Sequence, residues 1–434
     1  MTTLAEVRLW GRTIGAVSLA GDNVTTSFQY EPEFAHSGIE LSPIVMPLST
    51  IVYTFPELPY HTFKGLPGLL SDSLPDKFGN LLIDEWLSRQ GRTAEDFNAV
   101  ERLCYTGRRG MGALEYRPIL GPEFSGSNEI QVEALVNLAS QILTHRGSLQ
   151  TNISTDTGDD ALNDILRVGT SAGGARAKAV IAWNRKTGDV RSGQMDAAPG
   201  FEYWLLKFDG VSGNKDKELY DPKGYGAIEY AYYKMARKAG IAMNECRLLE
   251  ENRRKHFMTK RFDRTDSGSK LHMQSLSAMA HFDFNTKNAY SYEQAFQVIR
   301  KLELPMDSVE EQFRRMAFNI IARNQDDHVK NIAFLMDKKG EWRLSPAFDL
   351  TYSYNPNGDW TNVHQMSMNG KREHFTIEDF RECAKTALMK RGRAESIIEQ
   401  VQEAAQKWPE TASAIQIPED TIHKIYNTFH FALH

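Results

Sequence analysis

The sequence predicts an α+β protein: a β-rich N-terminal domain with some helix, then a lobe built on a mixed sheet, then a mostly helical lobe. Three observations carry this. Short apolar runs broken by Gly, Asn and Asp fill the first thirty residues and return between 179 and 259. Helical periodicity takes over after residue 290. A polar stretch from Gly147 to Asp164, rich in Ser, Thr, Asp, Asn and Gly, reads as a linker. The expected divisions are 1–146, 147–264 and 265–434.

Composition narrows the function. The chain has 434 residues, ample for a sizeable core, and a formal net charge of −5. That charge makes no global case for binding nucleic acid or an anionic membrane. Cys104, Cys246 and Cys383 form neither a CxxC pair nor a disulfide framework. The first residues lack a signal pattern and no apolar run approaches a membrane span. The expected location is the cytoplasm.

Taken in order, Val7–Trp10, Ala16–Leu19 and Val24–Tyr30 read as antiparallel strands. Gly65–Asp76 reads as a turn-rich loop, followed by a helix from Phe78 to Ser88 and another from Ala94 to Cys104 with Thr93 as N-cap. Ser127–Thr144 is an amphipathic helix. After the linker, Leu166–Val168 leads as a strand into Gly169-Thr170-Ser171-Ala172-Gly173-Gly174-Ala175-Arg176-Ala177-Lys178, then a second strand, Ala179–Trp183. Small side chains in such a loop let backbone N–H groups approach phosphates, although no Walker signature is present.

Phe201–Phe208 is a strand that ends on Lys207, whose ammonium must snorkel out or meet an anion. Gly226–Ala239 is a helix with Glu229 in its first turn and Gly240 as its stop. Cys246–Leu249 and His256–Thr259 continue the sheet into Lys260-Arg261-Phe262-Asp263-Arg264. Ser291–Leu302 and Ser308–Arg323 are helices; in the second, Val309, Phe313, Met316, Ala317, Ile320 and Ile321 recur on one face. Ile332–Met336 and Trp342–Leu344 form a hairpin, and three helices close the chain: 377–389, 394–407 and 419–431. Lys390-Arg391-Gly392-Arg393 falls between the first two as an exposed turn.

The chemistry centres on Asn324-Gln325-Asp326-Asp327-His328-Val329-Lys330-Asn331, with Asp349 shortly after. An Asp, four spacers, an Asn and a later Asp is the set a phosphotransferase needs: one carboxylate for the acceptor hydroxyl, an amide and a carboxylate for Mg²⁺. The order along the chain is a small-residue loop, Lys207, Glu229, a 260–262 strand, Asp326 to Asn331, and Asp349. It matches the order of parts in a bilobal kinase, where the glutamate steadies the lysine. HRD and DFG motifs are missing, so the expected fold is an atypical bilobal protein-kinase-like one.

Ser171–Lys178, Lys260–Arg264, Asp326–Asn331 and Ser345-Pro346-Ala347-Phe348-Asp349 together resemble the HipA family of bacterial serine/threonine kinases, the toxins of HipBA-type toxin–antitoxin pairs. The first strands and Leu74-Pro75-Asp76 resemble that family's extra N-terminal domain. The resemblance implies ATP and Mg²⁺ as cofactors, Asp326 as catalytic base, and Asn331 and Asp349 as metal ligands. It places His328, Lys330, Lys207 and the loop Gly173, Gly174, Ala175, Arg176, Ala177 and Lys178 at the phosphates, and Lys260, Arg261 and Phe262 beside adenine. It further implies autophosphorylation of Ser171, a translation component such as an aminoacyl-tRNA synthetase as substrate, and a HipB-like helix-turn-helix antitoxin. Operator DNA would be met through that complex, with Lys390, Arg391 and Arg393 as possible contacts. Two other readings stay open: a small-molecule or lipid kinase on the same scaffold, and a catalytically silent co-repressor or binding module.

Overall fold

The computed structural model describes residues 2–121, 130–144, 165–166, 176–194, 197–211, 215–216, 219–220 and 223–433. Ser171, Gly173, Gly174 and Ala175, and the 147–164 stretch, lie outside them.

The N-terminal sheet is antiparallel, in the order Val52–Thr54, Thr26–Tyr30, Arg12–Leu19, Leu4–Leu9, Leu114–Arg117. Its period-two pattern sends Val7, Leu9, Val17 and Phe28 to one core with Leu69, Leu70 and Leu103. The edge strand Leu114–Arg117 was not anticipated; its alternation lasts only four residues. The loop 65–76 holds a short helical turn, Gly68–Ser71. The single helix expected over 94–104 is two pieces: a 3₁₀ turn Ala94–Asp96 and a helix Ala99–Thr106. Each has its own capping box, Thr93 with Asp96 and Asn98 with Glu101, and the second cap forces the chain out of helix at Phe97.

The second sheet runs Cys246–Glu251, Arg254–Lys260, Glu202–Lys207, Lys178–Trp183, Val190–Ser192. It was expected to be mixed, but every neighbouring pair is antiparallel. Hairpins account for the two outer pairs: Asn252 and Arg253, both at positive φ (46° and 61°), make the two-residue turn of the first. One face of the sheet packs Trp204, Ile181 and Met258 against Phe78 and Leu82 of the Lys77–Arg89 helix and Leu135 and Ala139 of the Val132–Thr144 helix. Ile165 and Leu166 are helical, so Leu166 does not open the strand expected over 166–168, whose other two residues lie outside the described ones.

Helix Tyr225–Lys238 joins the core of the helical lobe instead. Its start is fixed by Asp209, whose carboxylate accepts from the N–H groups of Gly224 and Gly226. A side chain at Gly226 would meet the Lys255 carbonyl at 2.1 Å, so only glycine allows this approach. Because the helix begins at Tyr225, Glu229 sits in its second turn rather than its first.

The central helix of the last lobe, Met306–Ile321, buries Val309, Phe313, Met316, Ala317, Ile320 and Ile321 as its periodicity requires. It packs against Arg393–Gln406 and Tyr292–Lys301. The hairpin Ala333–Met336 with Trp342–Leu344 gains a third strand, His272–Ser275. The closing helices are four: Ile377–Thr386, Arg393–Gln406, Trp408–Ser413 and Glu419–Tyr426. Pro409 in a first turn starts the additional one. No helix among the described residues is long and apolar enough to cross a membrane.

The N-terminal part is tied to the helical lobe through polar contacts. Gly68 donates its N–H to His281 Nε2 at 3.0 Å, and Asp72 accepts from the Ser275 N–H and hydroxyl at 2.6 and 2.8 Å.

Candidate active site

The site begins where the Met306–Ile321 helix stops. Arg323 turns left-handed (φ 57°), and the loop after it is stitched to Ser353: Gln325 donates to the Ser353 carbonyl and Ser353 to that of Arg323. The next two carboxylates point in opposite directions. Asp326 faces the cleft, where Trp360 Nε1 donates to its Oδ1 at 3.0 Å and His328 Nε2 stands 3.8 Å from the same oxygen. Asn331 donates its side-chain amide to the Asp326 carbonyl at 2.9 Å, fixing the loop between them.

Asp327 turns inward and is buried. It accepts from the Tyr292 hydroxyl at 2.6 Å and the Gln365 N–H at 2.7 Å, and His364 Nδ1 lies 2.8 Å away. Asn319 donates to the Tyr292 hydroxyl at 3.1 Å, and Asn324 donates to Asn319 at 3.0 Å. This network buries a charge at the cost of ordering many donors, as an interior carboxylate requires.

Lys207 reaches across the cleft. Its ammonium is 2.5 Å from Glu229 Oε1 and also bonds Asp349 Oδ1. Burial alone would depress the lysine, but Asp349 and Glu229 outweigh it and hold the ammonium above its usual range. Burial likewise favours a neutral Asp349; Lys207, and then Lys178 and His328, bring its carboxyl down to about 2. Asp349 is therefore an anion at neutral pH, and it sits at φ 53° in the left-handed region. Asp349, Asn331, His328 and Phe348 line one small recess.

Strand register brings a second lysine to the same place. Lys178 is the direct cross-strand partner of Lys207, so both side chains share one face of the sheet. Lys178 is buried, with Asp76 Oδ2 at 3.7 Å. The Lys330 ammonium lies 4.0 Å from Asp72 Oδ1 and 4.7 Å from the centre of the Phe284 ring.

Among the residues expected at this site, Asp326, His328, Asn331, Asp349, Lys178, Lys207 and Glu229 are brought together by these contacts. The Arg176 guanidinium lies 3.6 Å from the centre of the Tyr225 ring, and the Ala177 carbonyl accepts from Phe208 N–H. Other side chains are engaged elsewhere. Lys260 pairs with Glu202 and Asp266 at 3.0 and 3.1 Å. Arg261 is buried in a two-pronged bond to Asp263, which also accepts from Gly112 N–H. The Phe262 ring lies 5.5 Å from that of Phe348. Lys390 and Arg391 are exposed, whereas Arg393 is ion-paired with Glu310 at 2.7 Å. Trp360, Asp76 and Asp72 had not been assigned a place at the site. Only Asp76 left a local trace, a Pro-Asp before an apolar helix, which reads as an N-cap.

Comparison with known proteins follows the same lines. Residues 5–117 match the HipA N-terminal domain and residues 170–408 the HipA-like C-terminal domain. No curated protein sequence matches the chain. Among solved structures, the Shewanella oneidensis MR-1 toxin–antitoxin complex of HipA, HipB and operator DNA contains a chain with a TM-score of 0.64 at 16% identity, covering 98% of this chain and 95% of that one. The Helicobacter pylori proinflammatory kinase CtkA is similar at a TM-score of 0.35 and 13% identity, over 52% of this chain and 88% of that one. With both domain descriptions matched in order and most of the chain between them, this protein belongs to the HipA family.

Proposed function

We propose that this protein is an ATP- and Mg²⁺-dependent protein serine/threonine kinase, the toxin of a HipBA-type pair. The observation that carries the reading is Lys207 held between Glu229 and Asp349, with Asp326 and Asn331 beside them. A lysine steadied by a helical glutamate is the part that grips α/β-phosphates in kinases. Two oxygen ligands, from Asn331 and Asp349, suit Mg²⁺, which keeps the rest of its shell for water and phosphate. When bound, Mg²⁺ draws charge from the transferring phosphoryl group.

The chain's own residues supply the rest. In the free protein the Lys207 ammonium rests on Asp349 and stands in for a cation there. On nucleotide binding Lys207 moves its contact to phosphate while Glu229 keeps it in place. Asp326 accepts the proton of the acceptor hydroxyl, its carboxylate oriented by Trp360. Lys178, His328 and Lys330 meet the phosphates, with Gly173, Gly174, Ala175, Arg176 and Ala177 covering them. The backbone of Lys260, Arg261 and Phe262 borders adenine, since the side chains of Lys260 and Arg261 are already paired.

Ser171 is the autophosphorylation site in this reading; a phosphoserine there brings nearly two negative charges into competition with ATP. The substrate is a translation component such as an aminoacyl-tRNA synthetase. A HipB-like helix-turn-helix protein is the antitoxin, and operator DNA is reached through it. Exposed Lys390 and Arg391 are the better-placed DNA contacts, because Arg393 is already paired.

The test is intact mass and peptide mapping after incubation with Mg-ATP, beside Asp326→Ala. Phosphoryl gain at Ser171 in the native protein alone is expected. No gain in protein that starts unmodified, together with no ATP binding, overturns the reading.

A further inference from the structure

We propose that Asp76, from the N-terminal part of the chain, is a positioning residue of the nucleotide site: it holds Lys178 in place. Its functional consequence rests on the kinase reading; the pair itself rests on geometry. Lys178 and Lys207 stand directly opposite each other on neighbouring strands. Like charges so placed repel. Lys207 has two carboxylates to offset this, Glu229 and Asp349. Asp76 presents a carboxylate to Lys178 at 3.7 Å, and both side chains are only 3% exposed. A lysine that deep needs a counter-charge.

Asp76 is itself held rigidly. Its Oδ1 accepts the Gly79 N–H at 2.6 Å and caps the Lys77–Arg89 helix. Its Oδ2 is buried, and burial pushes the Asp76 carboxyl up; Lys178, then the Gly79 N–H and Lys330, pull the other way without cancelling it. Four residues earlier, Asp72 puts Oδ1 4.0 Å from Lys330 while Ser275 fixes its carboxylate. One short N-terminal stretch thus sets a carboxylate beside each of two lysines assigned to phosphate. With Asp76 neutralised, Lys178 loses the carboxylate that fixes its ammonium, and the phosphate contact assigned to it weakens.

The experiment is a double-mutant cycle on the full chain, using Asp76→Asn, Lys178→Gln and both together, read by Mg-ATP calorimetry and thermal unfolding. Asn caps a helix as well as Asp does, so the cap survives in Asp76→Asn. That variant is expected to weaken Mg-ATP binding about tenfold, and the double variant to bind no more weakly than Lys178→Gln alone. A change under about twofold for Asp76→Asn, or losses that multiply in the double variant, overturns the proposal. If the native protein binds no Mg-ATP, the kinase reading falls and unfolding decides the pair. Partial recovery of the midpoint in the double variant then upholds it, and additive losses defeat it.

Discussion

Trp360 donates its indole N–H to Asp326 Oδ1 at 3.0 Å, across 34 residues of sequence. The segment that carries Trp360 is fastened in turn by Asp327, which accepts from Gln365 N–H, and by the Gln365 side chain, which donates to the Trp360 carbonyl. Adjacent carboxylates therefore divide the work: Asp327 anchors the segment that orients Asp326.

Trp360→Phe keeps the ring and removes the donor. Losing one hydrogen bond to a charged group costs about 1.5 kcal/mol, so kcat is expected to fall roughly tenfold. The Kd for Mg-ATP should stay within about twofold, as Trp360 is assigned no nucleotide contact. Steady-state phosphorylation beside calorimetry separates the two.

Asp327→Ala strands the Tyr292 hydroxyl, the Gln365 N–H and His364 in the interior. Unfolding in denaturant should show a loss of about 3 kcal/mol. Phosphorylation by the folded variant should fall further than in Trp360→Phe, because the whole 360–365 segment loses its anchor.

Lys207→Met leaves Glu229 and Asp349 without their shared cation. Mg-ATP affinity is expected to drop by about a hundredfold or more, since the phosphate contact is lost. Glu229→Gln keeps Lys207 against Asp349 and should cost roughly tenfold. Equal losses in the two variants would contradict the division of roles.

Acid stability has an identifiable contributor in Asp379. Burial favours its neutral form, but Lys371, the Thr376 N–H and Asn369 outweigh this and bring its carboxyl down to about 2. A folded value below the unfolded value of about 3.9 stabilises fully above that pH, and the contribution is lost as pH falls towards 2. Unfolding free energies measured from pH 5 to 2 should decline, and Asp379→Asn should flatten the decline by roughly 1–2 kcal/mol.

Local chemistry was legible in the sequence, and tertiary chemistry only where the order of parts along the chain carried it. Asp326 to Asn331 form one contiguous stretch, and the helix before them announces itself by period, so both were readable. Lys207 was visible as a charge closing an apolar strand, and the kinase order of parts paired it with Glu229, 22 residues on; its bond to Asp349, 142 residues away, was not foreseen. Trp360 carries no motif and is recruited only by the folding of its loop. The Arg261 side chain is taken by Asp263 two residues on, a pairing the sequence reading had not assigned. The helix over 94–104 broke because Asn98 with Glu101 is a cap strong enough to restart it, a competition that apolar spacing does not register.

The left-handed backbone at Asp349 (φ 53°) has a bearing on how such a site is switched off over evolutionary time. Aspartate and asparagine are the side chains other than glycine that this conformation accepts most readily. Exchanging one oxygen for an amide there leaves the backbone at ease, and Glu229 still neutralises Lys207. The chemistry and the architecture are separable at a single position: Asp349→Asn should yield a silent protein with its surfaces intact, whereas bulkier replacements erode the fold together with the activity.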